Sequence, residues 1–365
     1  MGSRSLHCSY LCAFFHQRHL FMRIGLVYDV FDDYPWQPGE APDADAEYEP
    51  EATVEALEAA ICAMGHTPVR IGTSYDLLGR LGALSIDAAV NIAEGARSRN
   101  REAYAPILLE MAGIPFLGSD ALTLSLSLDK AWTKDLVIAC GVRTPAYRVY
   151  ANAEAVDVAE LTGPFPLFVK PRYEGSAKGI TAASKVMSVG ALRRQVAWTT
   201  ATYEQDALVE EFVDGGGEYT VAVVGNDPPE ALPVLQRAVE AKSGIGLHAL
   251  DHRAMPEKTW AFAVEGALSP ELEADLQTRA VQIYKKLQCR DFARLDFRVD
   301  AVGRTWFLEI NPLPTFAPDG TFAVLAELVG QSYPAFLSDV LRRGLARIKR
   351  TRTVFQPPVV GLVEA

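Results

Sequence analysis

The pattern of apolar and polar positions predicts alternating strands and helices in the first third of the chain. Residues 23–29 form a compact apolar run that is typical of a buried parallel strand. A helical pattern covers 51–64 and stops at Gly65, a residue type that commonly ends helices. A strand near 87–92 and a helix near 102–113 continue the alternation. This order predicts an open α/β unit.

An acidic segment at 30–50 interrupts this alternation. It contains seven acidic residues, four prolines and no basic residue. Such a composition predicts an exposed loop or lid. Of these two interpretations, a solvated connector is favoured over a lid that contacts substrate.

The rest of the chain continues as a mixture of helices and strands. Helical patterns cover about 120–140, and PFPLFVKP then predicts a strand that leads into the loop EGSAKG. The strands ALVEEFV and EYTVAVVG flank a predicted turn at 214–217. A long helix at about 269–287 precedes a strand pair at 291–300 and 304–311, and a terminal helix covers about 331–348.

The strand pair ARLDFRVDAVGRTWFLEIN alternates apolar and polar residues on both sides of a turn predicted at 302–303. This turn would place Asp296 opposite Glu309, and Arg294 opposite Asn311. One face would then collect a guanidinium, two carboxylates and an amide. The residues expected on the opposite, core face are Leu295, Phe297, Leu308 and Ile310.

This polar face could hold a hard divalent ion such as Mg²⁺, which prefers carboxylate and amide oxygens and leaves other positions to water and phosphates. Arg294 could stabilise charge on a reacting oxygen. Periodicity alone favours the alternative of a hairpin whose polar face meets water. The neighbouring motifs reverse that preference.

Two further motifs suit a nucleotide. In FVKPRYEGSAKG a strand delivers Lys170, and the following loop contains Gly175 and Gly179, whose backbone amides could approach an anion closely. The loop lacks the spacing of a P-loop. In LVEEFVDGGGEYTV, Glu210, Glu211 and Glu218 could accept hydrogen bonds from adenine or ribose, although isolated acids are more often solvated.

Length and composition bound the class of protein. The 365 residues, 49% hydrophobic and 22% charged, suffice for two or three domains. A net charge of -11 argues against a nucleic-acid partner, and no apolar run approaches the length needed to span a membrane. The five cysteines are odd in number and widely spread, which favours a reducing compartment and argues against a disulfide framework or zinc site.

The order of four separated motifs resembles the ATP-grasp superfamily, specifically the D-alanine–D-alanine ligases, over roughly residues 85–330. The motifs are GIPFLGSDALTLSLSLDKAWTK, LFVKPRYEGSAKG, LVEEFVDGGGEYTV and CRDFARLDFRVD with FLEINPLP. The resemblance implies an α/β (α+β ATP-grasp) fold, in which an N-terminal open α/β domain precedes a two-lobed ATP-grasp unit. The expected divisions are a disordered extension at 1–21, a substrate domain at 22–117, a central lobe at 118–213, a C-terminal lobe with the metal and catalytic site at 214–348, and a tail at 349–365.

The resemblance also implies which residues bind the cofactors ATP and Mg²⁺. Two magnesium ions are expected, with Mn²⁺ as an alternative. The implied ATP contacts are made by Lys130, Lys170, Glu174, Gly175 and Ser176 near the phosphates, by Glu210, Glu211 and Val213 at the adenine, and by Glu218 at the ribose. The implied metal ligands are Asp296, Glu309 and Asn311.

Three catalytic residues are implied in the same way. Arg294 matches the family arginine that steadies the tetrahedral intermediate, and Ser176 matches a loop serine near the active site. Lys242 matches a mobile-loop lysine that reaches the transferred phosphate. The implied reaction forms an acyl phosphate from a carboxylate and then an amide with an amine, with two amino acids as the expected substrates. A cytoplasmic location and a homodimer are also expected, with no nucleic-acid or membrane partner.

The chain departs from the family pattern at positions that would contact substrates. GLVYDVFDDYPWQ replaces a glycine-rich strand exit followed by a serine and a glutamate. Gly320 replaces a serine that contacts the second substrate's carboxylate, Ser243 replaces a tyrosine, and Ala177 replaces a second loop serine. These changes favour a related ligase with a different donor or acceptor over a true D-alanine–D-alanine ligase. A nucleotide-binding protein without ligase activity is a further alternative.

The segment NIAEGARSRNREA offers another candidate for substrate binding. Its arginines, Arg97, Arg99 and Arg101, could bind a carboxylate through bidentate hydrogen bonds. A solvated charged loop before a helix is an equally good interpretation.

Overall fold

The N-terminal part is an open α/β unit, as predicted. The computed structural model describes residues 21–237, 239, 243–246 and 268–354. Four parallel strands, β1 (Arg23–Val27), β2 (Thr67–Gly72), β3 (Ala88–Asn91) and β4 (Phe116–Leu117), form a sheet of order β2-β1-β3-β4. The helices of this part are α1 (Glu51–Ala63), α2 (Ser74–Arg80) and α3 (Tyr104–Met111). Gly65 follows α1 with φ of 79°, which suits a residue without Cβ.

The central part is a four-stranded antiparallel sheet of order β5-β8-β6-β7. Its strands are β5 (Tyr147–Tyr150), β6 (Leu167–Pro171), β7 (Lys185–Val186) and β8 (Ala207–Glu211). The helices α4 (Ala121–Leu128) and α5 (Lys130–Ala139) lead into it, and α6 (Val189–Tyr203) covers one face. Leu192 and Val196 of α6 pack with Val169 and Val209 of the sheet to form the core of this part.

The C-terminal part is built on a second antiparallel sheet of order β10-β9-β12-β13, with β11 also paired to β9. Its strands are β9 (Gly215–Val224), β10 (Glu230–Ala231), β11 (Leu235–Arg237), β12 (Phe292–Asp300) and β13 (Thr305–Asn311). The helices are α7 (Pro270–Lys286), α8 (Thr321–Leu328) and α9 (Tyr333–Val354). Short 3₁₀ turns cover Phe31–Asp33, Leu81–Ala83, Arg101–Ala103, Val158–Glu160 and Ala182–Ser184.

Two sequence predictions about these elements need correction. The glycines at 215–217 do not form a hairpin turn, because β8 and β9 belong to different sheets and the glycines begin β9. The terminal helix also extends past 348 and ends at Val354. The predicted extension, except for Phe21, and residue Lys242 lie outside the described residues.

The N-terminal and C-terminal parts share one hydrophobic core. Leu57 and Ile61 of α1 belong to the same buried cluster as Phe292 of β12 and Leu337 and Leu341 of α9. Burial of these side chains fixes the end of β1, and therefore the acidic segment, relative to the β12–β13 ribbon.

The second half of the acidic segment is not a solvated connector, contrary to the sequence prediction, whereas residues 31–33 and 35–39 are exposed as predicted. Asp45, Glu47, Tyr48 and Glu49 are all buried. Backbone hydrogen bonds order the segment, including those from the amide of Tyr48 to the carbonyl of Asp45 and from the amide of Glu49 to the carbonyl of Asp29. Buried carboxylates are tolerated here because they find charged and hydrogen-bonding partners elsewhere in the fold.

The pairing of β12 with β13 is as predicted at Arg294 and Asp296, but the loop between the two strands differs from the prediction. The ribbon turns through a three-residue loop at 301–303, and a bulge in β13 then compensates for the shift. As a result Phe307 lies in the core beside Phe297, with ring centroids 5.9 Å apart. The prediction for Leu308 was wrong, because this residue lines a cavity together with Glu309.

None of the described helices is long and apolar enough to cross a membrane. Three cysteines lie in the described part of the chain, Cys62, Cys140 and Cys289, and all three are free.

Candidate active site

Two neighbouring strands bring the predicted guanidinium, carboxylates and amide together. Arg294 lies opposite Asn311, and Asp296 lies opposite Glu309. Arg294 Nη2 is 3.1 Å from Asp296 Oδ2, while the hydroxyl of Thr220 donates to Asp296 Oδ1. All four ribbon residues line one cavity. The sequence therefore identified this constellation correctly as a spatial cluster.

The cluster suits a cation that takes part of its coordination from other molecules. Among the described residues, no three or more His, Cys, Asp or Glu side chains group closely enough to hold a metal by themselves. Two adjacent carboxylates and an amide oxygen match the few protein ligands that Mg²⁺ uses when water and nucleotide phosphates fill its other positions. Asp296, Glu309 and Asn311 thus fit Mg²⁺ bound together with a nucleotide.

A buried carboxylate joins two lysines beside this cluster. Glu210 Oε1 is 2.7 Å from Lys170 Nζ, and its Oε2 is 2.7 Å from Lys134 Nζ. Burial opposes ionisation of Glu210, but the two ammonium groups outweigh it and hold the pKa of this carboxyl at about 2. For Lys134 burial prevails over the pairing with Glu210 and lowers the pKa to about 8. One carboxylate therefore serves two cations, so these three side chains together carry one net positive charge.

Helix α5 begins at Lys130. This residue lies between the loop that contains Gly175 and Gly179 and the cluster formed by Arg294, Asp296, Glu309 and Asn311. Asp129 caps this helix and also holds Arg172 through two hydrogen bonds of 2.9 and 2.8 Å. Lys130 Nζ donates to the backbone carbonyl of Glu174 and lies 3.7 Å from Glu309 Oε2. The rigid helix start therefore sets the position of this ammonium group.

The acidic segment closes directly onto the glycine loop. The amide of Gly175 donates to Glu47 Oε1 at 2.6 Å, and the amide of Gly179 donates to Asp43 Oδ2 at 2.8 Å. Gly179 is required by the close packing, because a Cβ at this position would lie 2.5 Å from Pro171. The loop amides thus bind anions in this structure, and these anions are the carboxylates of Glu47 and Asp43.

Glu47 is the centre of a buried ionic network. Its two oxygens lie 2.5 Å from Arg101 Nη2 and 3.2 Å from Lys178 Nζ, and Lys178 also pairs with Glu174 at 2.6 Å. Burial opposes ionisation of Glu47, but Arg101 and Lys178 prevail and lower its pKa to about 2. The predicted phosphate-loop residues Glu174 and Gly175 therefore belong to this network.

The cavity wall near Val213 is aromatic and cationic. The ring of Phe212 has Lys185 Nζ at 4.0 Å and the Arg298 guanidinium at 4.6 Å from its centroid. Burial raises the pKa of Glu218 despite the opposing influence of Arg298. The residues of this wall that the sequence linked to adenine and ribose are Glu210, Glu211, Val213 and Glu218, and all of them line the cavity.

The cavity has a volume of about 970 Å³ and extends from this wall to the N-terminal part of the chain. The far end is lined by Trp36, Tyr48, Glu49 and Glu94 from the N-terminal part, and by Gly320 at the start of α8. Burial, together with the neighbouring Glu102 carboxylate, raises the pKa of Glu94 well above its ordinary value. The far end therefore combines carboxyl groups with aromatic rings, unlike the lysine-lined end.

The arginines of the segment at 97–101 do not form a substrate site in this structure. Arg97 pairs with Glu40 at 2.6 Å, Arg101 pairs with Glu47, and Arg99 lies over the rings of Trp132 and Tyr173. The ion pairs of Arg97 and Arg101 connect this segment to the acidic segment. Arg97 and Arg99 are exposed, as the interpretation of a solvated loop predicts, whereas Arg101 is buried.

The residues that the resemblance assigned to ATP, metal and catalysis lie at or close behind the cavity wall, as far as the structure describes them. Lys170, Ser176 and the ribbon residues line the cavity, whereas Lys130, Glu174 and Gly175 lie just behind its wall. Sequence reasoning missed Lys134, although its spacing of four residues from Lys130 on one helix was a usable signal. It also missed Glu47 and Arg237, for which no local pattern exists.

The fold, the cavity and the arrangement of carboxylates and lysines around it define an ATP-grasp enzyme. Comparisons with known proteins agree. The family described as D-ala D-ala ligase C-terminus matches residues 141–342. The D-alanine–D-alanine ligase of Bordetella petrii is 33% identical over 242 residues, which are 66% of this chain and 71% of that protein. Protein y4sG of Sinorhizobium fredii, itself uncharacterized, is 34% identical over 69% of this chain and 72% of its own. The chain belongs to the D-alanine–D-alanine ligase family.

A solved structure supports the fold assignment. The D-alanine–D-alanine ligase from Bacillus anthracis complexed with ATP aligns with a TM-score of 0.69 at 22% identity, over 91% of this chain and 99% of that one. These findings confirm the predicted family and fold class, and the protein is a D-alanine–D-alanine ligase-like, ATP-dependent ligase. They favour this activity over a nucleotide-binding protein without ligase activity.

Proposed function

We propose that the enzyme uses Mg²⁺ and ATP to convert an amino-acid carboxylate into an acyl phosphate, and then joins it to the amine of a second amino acid. The observation that carries this proposal is the arrangement of Arg294, Asp296, Glu309 and Asn311 on one face of the ribbon, with Lys130 Nζ 3.7 Å from Glu309. Cations for phosphates and oxygen ligands for a metal thus meet at one end of a single cavity.

Each end of the cavity would bind a different part of the reactants. Lys130, Lys170 and the glycine loop with Ser176 would bind the ATP phosphates, while the wall formed by Glu210, Glu211 and Val213 would hold adenine and Glu218 the ribose. Stable ionisation of Glu210, with its pKa at about 2, keeps Lys170 oriented toward the cavity. The far end, with its carboxyl groups and aromatic rings, suits the ammonium and side-chain groups of amino acids.

Asp296, Glu309 and Asn311 would hold Mg²⁺, which would neutralise phosphate charge when bound. The chain's own groups supply the remaining chemistry. Lys130 and Lys170 would orient the γ-phosphate toward the carboxylate, and Arg294 would stabilise the oxyanion that forms when the amine attacks the acyl carbonyl. The acidic segment would exclude water from the acyl phosphate. Lys242 stays a proposed contact of the transferred phosphate.

The substrates are proposed to be small amino acids. The relatives in Bordetella petrii and Ectopseudomonas mendocina are named D-alanine–D-alanine ligases, and a structure of similar fold is titled VanG D-Ala:D-Ser ligase from Enterococcus faecalis. Gly320 and the acidic segment alter the substrate end, so we favour a donor or acceptor other than D-alanine. A true D-alanine–D-alanine ligase is the second candidate.

The proposed division of the chain follows the three sheets. The first sheet ends at Leu117, the central sheet spans β5 to β8, and the C-terminal sheet begins at Gly215. These limits support domains at 22–117, 118–213 and 214–348, with an extension and a tail outside them. A cytoplasmic location, a homodimer and the absence of nucleic-acid and membrane partners stay predictions.

The test is to capture the acyl phosphate. The enzyme is incubated with ATP, Mg²⁺ and single D- or L-amino acids in the presence of hydroxylamine, and hydroxamate and ADP are measured. We expect hydroxamate from at least one amino acid and dipeptide when hydroxylamine is omitted. Glu309→Gln is expected to abolish ADP release, while Glu327→Gln at the cavity rim should retain it. Near-normal turnover by Glu309→Gln would refute the metal assignment.

A further inference from the structure

Three aromatic side chains of the acidic segment line the far end of the cavity, namely Phe31, Trp36 and Tyr48. The ring of Tyr34 makes edge-on contacts with Trp36 and Tyr48, at 4.8 and 4.9 Å between ring centroids, and so fixes their positions. Phe31 and Trp36 are nevertheless 40% and 48% exposed. Large aromatic rings that stay exposed in a cavity offer contact surface to a ligand.

Two buried carboxyl groups line the same cavity, Glu49 and Glu94, which are 7% and 9% exposed. The hydroxyls of Thr53 and Thr315 both donate to Oε2 of Glu49, at 2.7 and 2.8 Å, so its Oε1 accepts no hydrogen bond from the described residues. The hydrogen-bond partner of Glu94 is another carboxyl group, that of Glu102. Neither Glu49 nor Glu94 lies within salt-bridge distance of a described lysine, arginine or histidine. Because a buried carboxylate without a cationic partner is costly, these two groups favour a ligand that brings positive charge.

The part of the cavity wall that carries these groups has no cation of its own. Among the described residues, those that line the cavity from 31–94 and from 313–327 include no lysine, arginine or histidine. The basic residues that line the cavity are Lys170, Arg237, Arg294 and Arg298, and all of them belong to strands β6, β11 and β12. Since the reacting groups of a substrate belong beside Arg294 and the proposed metal ligands, the far end is left for a substrate's side chain.

Aromatic rings and carboxyl groups together suit a cation at the end of an aliphatic stem. Aromatic faces attract ammonium and guanidinium groups, and methylene groups pack against the same rings. A carboxylate oxygen without another donor accepts a charge-assisted hydrogen bond from such a cation. The methyl side chain of alanine offers these groups neither a charge nor a stem.

We propose that one of the two amino-acid substrates has a cationic side chain, which binds at the rings of Trp36 and Tyr48 and the carboxyl groups of Glu49 and Glu94. This inference rests on the proposed function and names the class of substrate, a basic amino acid. Burial raises the pKa of both Glu49 and Glu94, and an arriving cation would favour their ionised forms. The acidic segment, where this chain departs from the family pattern, would thus determine the specificity.

The experiment compares lysine with norleucine, and arginine with citrulline, in both D and L forms. The two members of each pair differ chiefly in the charge of the side chain, and arginine has no second nucleophilic amine. Hydroxamate formed with hydroxylamine measures each amino acid as donor. Product mass, with the best donor held constant, measures it as acceptor. Wild type should prefer the cationic member of at least one pair by roughly tenfold or more in kcat/KM in one of these roles.

Two variants test the assigned residues. Glu94→Gln removes a charge with little change in shape and should lose most of this preference. Trp36→Leu alters a half-exposed position that does not contribute to the core, and it should reduce the preference about two- to fivefold. The matched control is Asp33→Asn, because Asp33 is an exposed carboxylate of the same segment that does not line the cavity. This variant should keep the wild-type preference.

Equal kcat/KM for both members of each pair in both roles would overturn the inference. A preference that persists unchanged in both Glu94→Gln and Trp36→Leu would overturn it as well. If only neutral amino acids gave hydroxamate and dipeptide, the proposed function would stand and this inference would fail. If no amino acid gave hydroxamate, the proposed function itself would fail.

Discussion

The amide of Gly175 donates a hydrogen bond of 2.6 Å to the carboxylate of Glu47, and this bond joins the acidic segment to the glycine loop. The two residues are 128 positions apart in the chain. Glu47 thereby ties the N-terminal α/β unit to the loop that we propose binds phosphates. The stability of the fold and the shape of the nucleotide end consequently depend on one buried carboxylate.

Replacing Glu47 by Gln should destabilise the protein strongly. The substitution removes the negative charge that compensates Arg101 and Lys178, and both cations would stay buried. Breaking a buried ion pair in this way typically costs about 3–5 kcal/mol. Urea unfolding at pH 7, followed by circular dichroism, measures the change in the free energy of unfolding.

Glu40→Gln is the matched control for that measurement, because Glu40 belongs to the same segment and pairs with Arg97. Arg97 is 43% exposed, so solvent already screens this pair. Surface pairs of this kind contribute about 1 kcal/mol or less. Similar losses in the two variants would show that burial of the Glu47 network does not stabilise the fold.

The same network predicts how stability depends on pH. The pKa values of Glu47 and Glu210 are both lowered to about 2 from the ordinary 4.5. A carboxyl with a depressed pKa in the folded state contributes stability that is fully present above pH 4.5 and is lost as the pH falls toward 2. The free energy of unfolding should therefore fall over that interval, and less steeply in Glu47→Gln. Urea titrations at several pH values test this, and identical slopes in both proteins would contradict it.

Lys134 predicts a separate effect at alkaline pH. Burial lowers its pKa to about 8. Above that pH the free enzyme loses the cation that shares Glu210 with Lys170, so Glu210 neutralises Lys170 more fully and attraction for phosphates weakens. Since kcat/KM reports the free enzyme, this parameter for ATP should fall above about pH 8 in wild type. In Lys134→Met it should be lower at pH 7 and lack this inflection.

The exposed Lys285 of α7 provides the control for Lys134, and Lys285→Met should retain the wild-type pH profile. If Lys134→Met kept the same inflection, another group would be responsible for it. Absolute values of kcat/KM do not decide the question, because the buried substitution also affects stability.

The sequence was sufficient for the parts of the site that local patterns determine. The alternation of β12 and β13 predicted the pairing of Asp296 with Glu309, although the predicted turn was one residue too short and the bulge in β13 compensates for the difference. The strand that carries Lys170 and the loop that contains Gly175 and Gly179 were also predicted from local patterns. In each case neighbouring positions in the sequence are neighbours in space.

Contacts between distant segments could not be predicted in this way. Glu47 and Asp43 looked like members of a solvated acidic run, because their partners Gly175 and Gly179 lie more than a hundred positions away. The bulge in β13 was also missed, since the alternation of the sequence is the same with or without one extra residue. Only the packing of Phe307 reveals it.

The bulge can be tested by comparing Phe307→Ala with Leu308→Ala. Phe307 is fully buried beside Phe297, and removing a buried phenyl ring typically costs about 3–5 kcal/mol. Leu308 lines the cavity next to Glu309, so its truncation should cost much less stability and should instead raise the KM for ATP. Urea unfolding and steady-state kinetics distinguish the two variants. A ribbon without the bulge would place Leu308 in the core, and Leu308→Ala would then be the more destabilising change.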